Sequence, residues 1–163
     1  HAQAFPSFGS ERTGAPVVSF CRIDDRPIRL REPVAAPDAL IIQDPTLLHQ
    51  VDVFAGLRPD GYMLINTARS MAELGLQEFV QGFRPERLLT VPASDLAREH
   101  TGRPIANAAL LAGFAALSGL ISLESVVLAI GEKLPARLVD GNVAAARDAY
   151  DWVIRESAEP AHA

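Results

Sequence analysis

Residues 3–16 (QAFPSFGSERTGAP) combine turn-forming residues with side chains that can bind a planar or anionic partner. The segment contains two glycines, two prolines and two phenylalanines, together with the adjacent pair Glu11 and Arg12. Glycine and proline favour turns, and a guanidinium can bind a carboxylate or a phosphate through paired, charge-assisted hydrogen bonds. The segment is therefore either a recognition loop or an exposed charged loop without a ligand.

The other reactive residue types do not occur at the spacings of a metal or nucleophile site. No histidine is placed at helical spacing from a second metal-type ligand, and the four histidines are His1, His49, His100 and His162. Cys21, the single cysteine, falls in a predicted strand without the helix N-terminus or adjacent base that activates a thiol. We expect no metal site and interpret Cys21 as a small, buried hydrophobic residue.

Three polar residues directly follow predicted strands. Asp44 precedes Pro45. Asn66 is the last residue of the segment GYMLIN, and Thr67 follows it. An aspartate before a proline is typical of a helix cap, but ligands of open α/β sheets also bind beyond the carboxyl ends of the strands. Both interpretations, structural cap and ligand contact, remain open for these residues.

The composition favours one globular domain and disfavours several classes of partner. The chain has 163 residues, 48% of them hydrophobic, and a formal charge of −5, so we expect a single domain over residues 1–156 and a frayed tail over residues 157–163. A nucleic-acid partner is not expected, since binding would require clustered Lys and Arg. One cysteine cannot supply the four thiolates that an iron–sulfur cluster normally needs.

No targeting or membrane segment is predicted. The start of the sequence lacks the basic, apolar and small-residue order of a secretory signal. The longest apolar stretch, residues 106–120, is shorter than the roughly 20 residues that span a bilayer. We therefore expect a buried helix there, no membrane partner and, by default, a cytoplasmic location.

Hydrophobic periodicity and turn signals predict an α/β fold. Apolar runs predict strands at residues 15–22, 27–30, 39–42, 61–66 and 88–91, with the first two paired as a hairpin. Caps and helical spacing predict helices at residues 44–51, 71–82, 95–100, 107–117, 122–132 and 141–154. This alternation predicts an open, mostly parallel, Rossmann-like sheet with helices on both faces and a helical C-terminal layer.

Ordered motifs extend from about residue 3 to about residue 152. They are FPSFGSERTGAPV at residues 5–17, Phe20-x-Arg22-Ile23, Pro37-Asp38-Ala39, Asp44-Pro45-Thr46-Leu47, PIAN at residues 104–107, LAGF at residues 111–114, SLES at residues 122–125, and Asn142. Together they resemble the gamma subunit, or the equivalent domain, of 2-oxoacid:ferredoxin oxidoreductases, of which pyruvate synthase is the commonest member.

The sequence departs from that family pattern at two places. Thr13 stands where the family usually repeats arginine, which removes one possible charge-assisted bond to an anion. The family also opens with a strand and a turn of the type Gly-x-Gly-Gly-Gln-Gly, which do not occur in these 163 residues. By resemblance we expect a longer polypeptide, with the first strand and the Gly-rich turn upstream of His1.

The resemblance implies a subunit of a complex that oxidatively decarboxylates a 2-oxoacid, first of all pyruvate, to an acyl-coenzyme A. It implies thiamine diphosphate and [4Fe-4S] clusters on partner subunits, coenzyme A as co-substrate, and alpha, beta and ferredoxin-like delta subunits as partners. Ferredoxin or another acceptor would take the electrons. Glu11, Arg12 and Asn107 are the polar groups expected nearest to a ligand or partner subunit, with no catalytic residue and no metal ligand in this chain.

A different class of function stays open beside the resemblance. The chain could be a stand-alone nucleotide- or coenzyme A-binding α/β module without catalysis. Such a module would need its own phosphate-binding loop, and no Gly-x-Gly-x-x-Gly follows a predicted strand here.

Overall fold

An antiparallel ribbon of two strands forms the N-terminal part of the structure, a computed structural model that describes residues 1–7, 16–50 and 52–158. Strand β1 (Ala2–Ser7) pairs with β2 (Val18–Ile23), so that Ala2 lies opposite Ile23 and Ser7 opposite Val18. The rings of Phe5 and Phe20 meet across the ribbon with their centroids 5.6 Å apart. This aromatic pair fixes the register of the two strands.

The predicted pairing of residues 15–22 with residues 27–30 is wrong. The strand predicted over residues 15–22 is present as β2 over residues 18–23, but residues 27–30 form no strand, and the partner of β2 is β1, which precedes it in the chain. The sequence of β1 contains Pro6 and two alanines, which lower strand propensity. Residues 30–33 instead lie beside the ribbon, where Arg22 Nη2 donates to the Glu32 carbonyl at 3.0 Å.

Three parallel strands form the main sheet. They are β3 (Ala39–Ile42), β4 (Tyr62–Asn66) and β5 (Leu88–Val91), and β4 lies in the middle. Leu64 faces Ile41 on one side and Leu89 on the other. All three strands were expected from their unbroken apolar runs, and the core of β4 is fully buried, as such runs indicate.

Within the described ranges, five α-helices and two short 3-10 turns accompany these strands. They are α1 (Gln77–Val80), α2 (Ala93–Thr101), α3 (Asn107–Ser118), α4 (Leu123–Lys133) and α5 (Ala136–Ala158), with 3-10 turns at Pro45–His49 and Pro85–Arg87. The helix predicted over residues 71–82 is reduced to α1. The reason is Gly75, whose φ of +73° places a left-handed residue inside the predicted span.

The last helix is longer than its apolar spacing indicates. It begins five residues before the predicted span of 141–154 and continues to Ala158, so Ser157 and Ala158 are helical. The predicted stops of α2 at Gly102 and the predicted cap of α4 at Ser122 are both present. Gly102 has a φ of +73°, and the Ser122 hydroxyl accepts from the Ser125 amide at 3.1 Å.

The two faces of the main sheet pack against different layers. Leu64 and Val91 pack against α3 and α5, and the fully buried Val153 belongs to the same cluster. Met63 and Ile65 point to the opposite face, where they pack with residues of the 3-10 turn at Pro45–His49, of α1 and of the adjoining loops. The chain is thus an α/β fold with a parallel sheet and a helical C-terminal layer, as the alternating elements predict.

Helix α3 is the buried helix expected over residues 106–120. Its Gly113 lies against the sheet, and a Cβ there would stand 3.2 Å from Leu64 Cδ2. Helix α5 lies close to α2 at Gly141, where a Cβ would stand 2.7 Å from the His100 carbonyl oxygen. Within the described residues, no helix combines the length and apolar character that crossing a membrane requires.

Candidate functional site

A buried asparagine joins three elements at the carboxyl end of the main sheet. Asn66, the last residue of β4, is 7% exposed. Its Nδ2 donates to the Gln43 carbonyl after β3 and to Ser94 Oγ in α2, both at 2.8 Å. Its Oδ1 accepts from the Ser94 amide at 3.0 Å. The side chain therefore sets the positions of the β3 end and the first turn of α2 relative to β4.

Asp44 acts as the cap that its sequence position indicates. Its Oδ1 accepts from the Thr46 amide at 2.9 Å and from the Thr46 hydroxyl at 2.7 Å, and Pro45 begins the 3-10 turn. The hydroxyl bond and then the backbone bond from Thr46 lower the pKa of the Asp44 carboxyl below its ordinary value. Asp44 is therefore ionised at neutral pH, and its exposed carboxylate can still accept a hydrogen bond from solvent or a ligand.

These residues border an open cleft of about 580 Å³ at the carboxyl ends of β3, β4 and β5. The cleft lining is Gln43, Asp44, Pro45, Asn66, Thr67, Ala68, Arg69, Pro92, Ser94, Asp95, Arg98 and Pro104. A cleft at this end of a parallel sheet is where open α/β proteins bind ligands. Asp44 can therefore cap the 3-10 turn and line the cleft at the same time. Thr67 lines the same cleft.

The two cations of the cleft are already engaged within the protein. Arg98 Nη1 lies 2.8 Å from Asp95 Oδ1, and both side chains are more than half exposed. Arg69 donates from Nη2 to the Glu73 carbonyl. The Glu73 carboxylate accepts from the amide and hydroxyl of Ser70, and these bonds lower the pKa of Glu73. Among the residues that the structure describes, the cleft lining therefore has mixed charge, with two carboxylates and two guanidinium groups.

The three residues expected nearest to a ligand or partner are not brought together by the described part of the chain. Asn107 is exposed at the first position of α3, and it is not part of the cleft lining. Glu11 and Arg12 lie outside the described residues, in the segment that connects β1 to β2. Their roles stay predictions.

The predicted burial of Cys21 is wrong. The thiol is exposed, since Cys21 alternates with Phe20 and Arg22 and points away from the half-buried face of the ribbon. Alternation within a strand identifies two faces but does not say which one is covered.

The donor set of the described residues does not fit an iron–sulfur cluster or a metal ion. The sequence contains one cysteine, and within residues 1–7, 16–50 and 52–158 there is no group of three His, Cys, Asp or Glu side chains that could hold a metal. Four thiolates are the usual ligands of a [4Fe-4S] cluster.

Sequence reasoning missed two polar contacts that join α2 to distant parts of the chain. Ser94 binds Asn66 across 28 residues, and His100 Nε2 lies 2.6 Å from Asp148 Oδ2 across 48 residues. A serine two positions after the Pro92 that follows β5 is the only local signal for the first contact. The second has no local signal, because α2 and α5 are adjacent only in the folded chain.

The sequence model of the family described as pyruvate ferredoxin/flavodoxin oxidoreductase matches residues 1–152. The chain is 42% identical over 151 residues to the pyruvate/ketoisovalerate oxidoreductases common subunit gamma of Pyrococcus abyssi, covering 93% of this chain and 80% of that protein. Identity and coverage are the same for the pyruvate synthase subunit PorC of Methanothermobacter marburgensis.

A solved structure shares the fold. The pyruvate oxidoreductase subunit PORC of Thermotoga maritima superposes with a TM-score of 0.73 at 33% identity, covering 93% of this chain and 79% of that one. The gamma subunit of a keto/oxoacid ferredoxin oxidoreductase from Geobacter sulfurreducens has the same fold at 21% identity and a TM-score of 0.59. With its parallel sheet, its helical layer and a family match over nearly its whole length, the chain belongs to the pyruvate ferredoxin/flavodoxin oxidoreductase family, as a relative of its gamma subunits.

Proposed function

We propose that this chain is the gamma-type subunit of a thiamine diphosphate-dependent 2-oxoacid:ferredoxin oxidoreductase. The complex would convert a 2-oxoacid and coenzyme A to an acyl-coenzyme A and CO₂, and pass two electrons to an iron–sulfur acceptor. The observation that carries the proposal is the 42% identity over 151 residues to a common gamma subunit of pyruvate/ketoisovalerate oxidoreductases and to a pyruvate synthase subunit. Pyruvate is the first substrate to test, because both of these relatives are named for it.

The cofactors of the reaction would be held by partner subunits. The single cysteine of this chain, exposed on the ribbon, supports placing the [4Fe-4S] clusters elsewhere. Alpha, beta and ferredoxin-like delta subunits would hold thiamine diphosphate and the clusters, with ferredoxin or another acceptor receiving the electrons. In such a complex, residues 1–156 form one architectural domain in the cytoplasm, and the chain alone is not catalytic.

The test of this proposal is anaerobic isolation from the native host without overexpression. We expect this chain to co-purify with subunits that carry cysteine-rich cluster motifs and with bound thiamine diphosphate. The complex should reduce ferredoxin when supplied with pyruvate and coenzyme A, whereas the chain alone should not. Recovery of the intact chain as a monomer, without any such partner, would contradict the proposal.

Arg12, Glu11 and Asn107 are proposed to contact coenzyme A or a partner subunit. A guanidinium can bind the phosphates of coenzyme A or a partner carboxylate bidentately. Arg12→Ala should therefore raise the KM for coenzyme A or weaken assembly of the complex, and Asn107→Ala should have a smaller effect of the same kind. Arg137→Ala, which changes an exposed arginine of α5, is the matched control. If assembly and KM are unchanged in Arg12→Ala, the proposed role of Arg12 fails.

The cleft supports a second candidate function, a nucleotide- or coenzyme A-binding module without catalysis. Its position beyond the strand ends is that of a ligand site, and Asp44 and Ser94 offer an acceptor and a hydroxyl to a ribose. Titration of the chain with coenzyme A and with AMP, followed by amide chemical shifts, separates the two. Saturable shifts at Asp44, Thr67 and Ser94 in the chain alone would favour the module, and no shifts would remove its support.

A further inference from the structure

We draw no further inference here: the strongest candidate, the open cleft at the carboxyl ends of β3, β4 and β5 that Asp44, Thr67 and Ser94 line, belongs to the site already described and adds no ligand class to the nucleotide or coenzyme A already proposed for it.

Discussion

Asn66 and Ser94 exchange two hydrogen bonds, side chain to side chain at 2.8 Å and backbone amide to side chain at 3.0 Å. The pair joins the end of the central strand to the first turn of α2. Because Asn66 also donates to the Gln43 carbonyl, one buried amide holds the three elements that border the cleft.

Asn66→Ala should lower the free energy of unfolding by about 1 to 3 kcal/mol, because it leaves the part-buried Gln43 carbonyl and Ser94 amide without their partner. Asn142→Ala is the matched control: that side chain donates once, to the Leu138 carbonyl in its own helix, and its loss should change stability by less than about 0.5 kcal/mol. Urea unfolding followed by circular dichroism measures both. Equal effects would show that the Asn66 bonds are replaced by water.

Two glycines in neighbouring helices should respond to alanine with opposite signs. Gly141→Ala places a Cβ 2.7 Å from the His100 carbonyl oxygen, so α5 must shift from α2, and we expect a loss of about 1 to 3 kcal/mol. Gly131→Ala meets nothing within 4 Å and should stabilise α4 by about 0.5 kcal/mol through helix propensity. Thermal unfolding of the two variants gives the comparison, and a stabilising Gly141→Ala would contradict the close α2–α5 approach.

The carboxyl of Asp44 should titrate below its ordinary pKa of 3.8. A carboxyl whose pKa is depressed in the folded state stabilises that state above its unfolded pKa, and this contribution is lost as the pH falls through the folded pKa. Thr46→Val removes the hydroxyl bond, which is the largest cause, and keeps the backbone bond. The pKa of Asp44 should therefore rise part of the way.

Titration followed by the carboxyl ¹³C shifts measures the change at Asp44. The pKa of Glu73, which is lowered by Ser70, serves as the internal control and should not move in Thr46→Val. If the pKa values of both carboxyls change, the substitution alters the fold. If neither pKa changes, the hydroxyl bond of Thr46 is not the cause of the lowered pKa of Asp44.

Trp152 should contribute to stability through one hydrogen bond from its indole. Nε1 donates to the Thr90 carbonyl at 3.2 Å, so Trp152→Phe should cost about 1 kcal/mol beyond the small loss of apolar area. Tyr150→Phe removes a polar group from the same helix, and that hydroxyl makes no hydrogen bond within the described residues. A cost for Tyr150→Phe as large as that for Trp152→Phe would show that the indole bond adds nothing.

The main sheet could be predicted because its strands are short apolar runs between turn residues. Residues 62–65 are an unbroken apolar run, residues 88–91 are apolar apart from Thr90, and Ser122 and Gly102 mark helix ends by local chemistry. The ribbon could not be predicted in the same way. Its first strand contains Pro6 and owes its conformation to the pairing of Phe5 with Phe20, which is a contact between residues 15 positions apart.

The candidate site was predictable only where one residue acts on its neighbours. Asp44 caps the residues next to it, so its role is visible in the sequence. Asn66 is recognisable as a polar residue at a strand end, but its partners are 23 and 28 residues away. The face on which Cys21 lies depends on what covers the ribbon, and that information is outside the strand itself.

The indole of Trp152 also obstructs the addition of a further strand at the β5 edge of the main sheet. The Val91 carbonyl accepts from Thr67 on the β4 side, so the preceding carbonyl, that of Thr90, points outward, because successive carbonyls of a strand alternate. Trp152 occupies that outward carbonyl, and an incoming strand cannot hydrogen-bond there without displacing it. Strand addition at the edge of β5, whether in normal assembly or in aggregation, therefore requires displacement of this indole.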